Sequence, residues 1–127
     1  PAMTLTAKVI AIREIDAGEA VGYNAKWRAT RRTRIATIGI GYGDGYPRHA
    51  SNGTPVLIRG QRAKLAGRVS MDMITADISH CENIEVGDEA TLWGKDLPVE
   101  EIAQCAETIS YALLSAVTAR VNRRYSE

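Results

Sequence analysis

The stretch at residues 38–48, IGIGYGDGYPR, holds the most unusual spacing in this 127-residue chain. Glycines at 39, 41, 43 and 45 alternate with Ile40, Tyr42 and Asp44, and Tyr46, Pro47 and Arg48 follow. Glycine lets a backbone approach a ligand closely and adopt positive φ, and a run of glycines also suits a plain barrel corner. The spacing is not GxGxxG and no helical pattern follows, which speaks against a dinucleotide site. A second candidate is GRVSMDM at 67–73, where Arg68 and Asp72 can pair with each other or face a ligand. Ser70 in that segment has no neighbouring histidine, so a Ser–His nucleophile has no support. A third is Tyr23, in GEAVGYNAKW. A free tyrosine has a pKa near ~10 and is a poor base at neutral pH. A positive environment lowers that value and makes the phenolate a competent general base.

The run that follows Tyr23, KWRATRRTR at 26–34, is strongly basic. It suits either nucleic acid or a solvated edge strand, where basic charge is common. The two histidines, His49 and His80, and the two cysteines, Cys81 and Cys105, lack metal-ligand spacing. The adjacent His80 and Cys81 read as a surface imidazole beside a half-buried thiol. Two cysteines are also too few for a disulfide framework, so a reduced, cytoplasmic setting is expected. From chemistry alone these pieces do not assemble into one active site.

The elements that must carry them are mostly strands. Residues 3–15 alternate strictly, with Met3, Leu5, Ala7, Val9, Ala11 and Arg13 on one face and Ile10, Ile12 and Glu14 on the other. Period two predicts a strand, covered on both faces near its end. Further strands are predicted at 33–41, 54–59, 62–69, 73–78 and 89–93. Turn signals stand at 16–18, 51–53 and 86–88. Short strands at such intervals, joined by glycine turns, predict a mainly β, closed or nearly closed β-barrel. After Pro98, taken as the first helical residue, Val99, Ile102, Ala103 and Ala106 fall at helical spacing. A second short helical segment is predicted at 110–120.

Composition bounds the rest. Hydrophobic residues make up 45% and charged residues 24%, enough for one domain with a modest core and too apolar for a disordered tail. Sixteen basic against fifteen acidic residues leave a formal charge of +1, which weighs against a wholly electrostatic nucleic-acid binder. No apolar run approaches the ~20 residues of a membrane span. No leader pattern marks the chain for export. Its opening on proline suggests a processed chain or a fragment.

In order, VGY at 21–23, IGYGDGYPR at 40–48, PVLIRGQR at 55–62, GRVSMDM at 67–73, VGDEATLWG at 86–94 and EEIA…ETISY across 100–111 resemble the C-terminal domain of bacterial alanine racemase. The resemblance covers essentially the whole chain. It implies an enzyme that uses pyridoxal 5'-phosphate (PLP) to interconvert L- and D-alanine for peptidoglycan synthesis in the cytoplasm. The cofactor is an electron sink that makes the substrate Cα acidic. The resemblance further implies a missing N-terminal (β/α)8 barrel with the cofactor lysine, and a head-to-tail homodimer in which each site draws on both subunits.

Residue by residue, the resemblance assigns Tyr23 as the second catalytic base, on the substrate face opposite the cofactor lysine. Met71 offers its backbone N–H to the substrate carboxylate. Tyr111 contacts the cofactor phosphate. Tyr42 stands at the narrow inner gate of the substrate corridor, and Arg48, Arg68 and Asp72 line that corridor. Two positions depart from the family pattern. Asn24 replaces a common glycine, and Ser70 stands where other members have cysteine. The four lysines, at 8, 26, 64 and 95, do not sit in the sequence context of the cofactor lysine. The chain alone is therefore expected to be inactive. Two alternatives remain: a racemase domain for serine, lysine or a broader set, and a basic β-barrel for single-stranded nucleic acid. The latter would use residues 26–34 and 120–124 with Trp27, Tyr42 and Tyr46 as stacking groups.

Overall fold

A computed structural model describes residues 4–21, 27–50 and 52–106. The longest alternating run becomes the longest strand, β1 (Leu5–Ile15). Its first residues pair antiparallel with β8 (Glu89–Trp93), and the rest pair antiparallel with β4 (Thr33–Ile38). The remaining wall strands are β5 (Pro55–Ile58), β6 (Gln61–Leu65) and β7 (Ile74–Asp77). The order β1-β4-β7-β6-β5-β8 returns to β1 and closes a six-stranded barrel. Closure leaves no unpaired edge in the wall.

One sequence expectation fails inside β1. The register slips between Val9 and Ala11, a bulge that leaves Ile10 half exposed. The extra residue reverses the alternation, so Val9 and Ile12 share the interior face that strict period two denies them. The bend also falls where β1 exchanges one partner for the other. Here the Lys8 carbonyl accepts from Gly39 N–H at 3.0 Å, while Val9 N–H donates to the Asp88 carbonyl at 2.9 Å.

Alternate residues of the other strands fill the interior: Ala36 and Ile38, Val56 and Ile58, Ala63 and Leu65, Ile74 and Ala76, Ala90 and Leu92. The chain contains no phenylalanine. Trp93 and Tyr46 are the largest fully buried side chains, and they stack with ring centroids 6.2 Å apart. Ile35 points the other way from Ala36. With Ile15, Val21, Ala29 and Ala66 it forms a second apolar cluster outside the wall. A two-stranded ribbon, β2 (Ala20–Val21) and β3 (Trp27–Arg28), lies against it, with Trp27 half-buried there.

Two arginines of the basic run are occupied by this packing. Arg28 donates to the Gly18 carbonyl at 2.9 Å. Arg32 reaches Asp16 at 2.7 Å and Glu14 at 3.1 Å. The helix α1 (Val99–Cys105) buries Val99, Ile102 and Ala103. Arg62 on β6 holds it with paired bonds of 2.7 and 3.0 Å to Glu101. Pro98 is the N-cap, not the first helical residue, because its ψ of 140° is extended. The segment at 110–120 lies outside the described residues.

Candidate functional site

Ile38 and Ile74 are partners in the β4–β7 ladder. The chain leaving β4 and the chain entering β7 therefore emerge side by side on one rim. This topology brings the glycine-rich loop and the GRVSMDM loop together.

The two loops are bonded backbone to backbone. Tyr42 N–H donates to the Ser70 carbonyl at 3.0 Å, and Gly43 N–H donates to the Met71 carbonyl at 2.9 Å. Such an approach requires glycine at 41. A Cβ there would stand 2.5 Å from the Met71 carbonyl oxygen, and nearer still to that of Ser70. The glycine loop then makes a single 3₁₀ turn at Tyr42–Asp44, with the Asp44 carboxylate accepting from Gly41 N–H at 3.3 Å. Gly45, at φ 99°, reverses the chain where an L side chain would be strained. Tyr46 then anchors the loop by entering the core beneath Trp93.

The second loop is a tight turn from Ser70 to Met73. Ser70 N–H donates to the Met73 carbonyl at 3.0 Å. The Ser70 hydroxyl donates to the same carbonyl at 2.9 Å and accepts from Met73 N–H at 3.1 Å. Met71 and Asp72 sit at the tip, with Met71 55% exposed. The Met71 N–H has no acceptor among the described residues.

Between the loops lies a cleft of about 460 Å³ lined by Tyr42, Arg48, Arg68, Val69, Ser70, Met71 and Asp72. The fold thus gathers Tyr42, Arg48, Arg68, Met71 and Asp72 in one place. Tyr23 and Tyr111 lie outside the described residues. Arg68 and Asp72 do not pair with each other, and Arg48 has no carboxylate partner among the described residues. Two guanidinium groups and one carboxylate thus face the cleft. The Arg48 guanidinium lies 5.1 Å from the centroid of the Tyr42 ring, a cation–π contact that braces the ring. Sequence reasoning placed Gly41 in a glycine-rich segment and considered Ser70 only as a nucleophile and a departure from the family pattern, and it gave neither a part in joining the loops. The alternating glycines were the available signal for Gly41.

Other candidates are structural. His80 Nε2 stands 2.8 Å from the Arg62 carbonyl, and Cys81 is buried beside it, its thiol pushed up chiefly by burial. Among the described residues there is no group of three His, Cys, Asp or Glu side chains placed to hold a metal. A polar concavity on the barrel wall contains the Arg59–Asp88 pair at 2.9 Å. Arg59 holds that carboxyl below the usual carboxylate range. The nucleic-acid alternative loses two stacking groups: Tyr46 is buried in the core and Trp27 packs on the outer cluster.

Comparison with known proteins gives the family. A family profile described as "Alanine racemase, C-terminal domain" matches residues 2–125. The chain belongs to the alanine racemase C-terminal domain family. An alanine racemase of Alteromonas mediterranea is 58% identical over 123 residues, which is 97% of this chain and 34% of the relative. The crystal structure of biosynthetic alanine racemase from Pseudomonas aeruginosa superposes with a TM-score of 0.91 at 55% identity, covering 94% of this chain and 34% of that one. That of the Bartonella henselae enzyme, solved with covalently bound pyridoxal phosphate, gives 0.85 at 35% identity, covering 90% of this chain and 32% of that one. The chain thus spans about a third of the length of the relatives it matches. The cleft of this alanine racemase C-terminal domain does not fit a covalently held PLP. Among the described residues its lining holds no lysine, since Lys8 and Lys64 lie on barrel strands and Lys95 follows β8; Lys26 lies outside the described residues.

Proposed function

We propose that this chain is the C-terminal part of a longer, PLP-dependent alanine racemase, and that it supplies the substrate side of an active site whose cofactor is held elsewhere. The observation that carries this is the cleft between residues 39–48 and 66–73, lined by Met71, whose N–H has no acceptor among the described residues. A carboxylate is the natural acceptor for that N–H, and a charge-assisted bond of this kind is stronger than a neutral one. Arg48 and Arg68 draw the carboxylate of a small zwitterion, and Asp72 faces its ammonium group. The Tyr42 ring, braced by Arg48, narrows the approach and favours a side chain as small as methyl.

Tyr23 takes the proton from the substrate Cα on one face in the L-to-D direction and delivers it to that face in the reverse direction. A base on the other face, from the rest of the enzyme, completes the exchange. Two bases avoid moving a single one across the substrate plane. Tyr111 contacts the cofactor phosphate. The site is completed by the N-terminal barrel of a second subunit in a homodimer. The product feeds peptidoglycan synthesis in the cytoplasm. No helix among the described residues is long and apolar enough to cross a membrane.

The test is direct. This chain, incubated with PLP and L-alanine, forms no D-alanine, and co-expression with the missing barrel restores turnover. Robust racemisation by the chain alone, with a borohydride-reducible lysine adduct on it, overturns the assignment.

A further inference from the structure

We infer that Ser70 is the positioning residue for the carboxylate-binding N–H of Met71, a role that rests on the assignment of that N–H to substrate. A peptide unit is planar and trans, so its C=O and N–H point in opposite directions. The unit joining Ser70 to Met71 has its oxygen held by Tyr42 N–H at 3.0 Å. Its N–H therefore points opposite to the Tyr42 N–H that holds the oxygen, and it has no acceptor among the described residues.

Three further bonds stop that plane from rocking. The Met71 carbonyl is held by Gly43 N–H at 2.9 Å. The turn's two ends are tied by the Ser70 hydroxyl, which donates to Met73 O at 2.9 Å and accepts from Met73 N–H at 3.1 Å. All the other bonds in this set come from backbone, which any residue supplies. The hydroxyl is the one side-chain tie in the turn that a substitution can remove while leaving the backbone bonds in place. It holds both ends of the tip at once, which a methyl cannot do. Ser70 accordingly acts through Met71 and does not itself touch the reacting atoms.

The experiment uses the full-length enzyme with its cofactor, and Ser70→Ala and Ser70→Thr variants. Propionate is the equilibrium probe, since it shares with alanine the three-carbon carboxylate and lacks the amine. In the unaltered enzyme the Met71 amide resonance moves on propionate addition. Ser70→Ala weakens propionate binding and raises KM for alanine by about tenfold, the worth of roughly one net hydrogen bond. Its kcat changes far less, because a carboxylate contact present equally in ground and transition states acts on KM. Ser70→Thr, which keeps the hydroxyl, restores both values. If the Met71 amide shifts while Ser70→Ala binds propionate like the unaltered enzyme, the positioning role is wrong and the carboxylate assignment survives. If the Met71 amide in the unaltered enzyme ignores propionate, the carboxylate assignment fails and takes this inference with it. A loss in Ser70→Ala that Ser70→Thr does not restore also overturns the role.

Discussion

Gly41→Ala is the most discriminating perturbation of the two-loop joint. Gly41 has φ −148° and ψ −166°, an extended conformation that alanine adopts freely. Any cost is therefore steric. The added methyl would stand 2.5 Å from the Met71 carbonyl oxygen, and Ser70 is closer. Both obstacles are backbone, so no rotamer change relieves them. The loops must separate, which breaks or stretches the Tyr42–Ser70 and Gly43–Met71 bonds of 3.0 and 2.9 Å. Two lost bonds at roughly 1 kcal/mol each, plus an overpacking cost of at least about 1 kcal/mol, give a destabilisation of about 3 kcal/mol. That corresponds to roughly 10 °C in melting temperature for a domain of this size. Gly53→Ala is the control. Gly53 has φ 91° with nothing within 4 Å of an added Cβ, so it carries a conformational cost of about 1 kcal/mol and no clash. Urea unfolding of the two variants, compared at constant m-value, reads both numbers. A Gly41→Ala midpoint equal to that of the unaltered protein, or no lower than that of Gly53→Ala, would refute the close-approach reasoning.

Tyr46→Phe removes a hydroxyl that is buried without a hydrogen-bond partner among the described residues, and burial already pushes the phenol's pKa up. The variant should be as stable as the unaltered protein or more so, and a calorimetric loss above about 1 kcal/mol would show that a partner exists. Arg62 holds the Glu101 carboxyl below its usual range, chiefly through their hydrogen bonds. A depressed folded pKa gives stabilisation that is present above the ordinary carboxylate range and lost as pH falls through the depressed value. The melting-temperature gap between the unaltered protein and Glu101→Gln should therefore shrink on acidification, and a gap constant with pH would contradict the pairing. In the full-length enzyme, Tyr23→Phe should keep cofactor absorbance and lower racemisation by several orders of magnitude, measured by chiral chromatography in both directions. Near-normal turnover either way would show that the base is misassigned.

Much of the wall was legible along the chain, because in strands a face is set by parity alone. Val56 with Ile58, Ala63 with Leu65, and Ala90 with Leu92 point inward as alternation requires. The ordered motifs also named five residues that share one cleft. Parity failed in β1, where the bulge between Val9 and Ala11 restarts the count. A bulge depends on how the opposite strand lies: Val9 and Ala11 both pair with β4, immediately after β1 leaves β8 at Lys8. Tyr46 was read as an available aromatic, yet it is 1% exposed. Its burial depends on Trp93, distant in sequence, presenting a ring for it to stack on.

The alternation of residue types and the spacing of the turns determined a small, mainly β barrel, and the ordered motifs carried its resemblance to the alanine racemase C-terminal domain. Those are local properties, written in backbone preference and side-chain chemistry. Only the tertiary structure decided that Gly41 must lack a Cβ, that the Ser70 hydroxyl ties the turn holding Met71, and that the Met71 N–H points opposite to the Tyr42 N–H that holds the Ser70 carbonyl. These depend on β4 and β7 lying side by side, a pairing between distant segments that sets which backbone atoms meet.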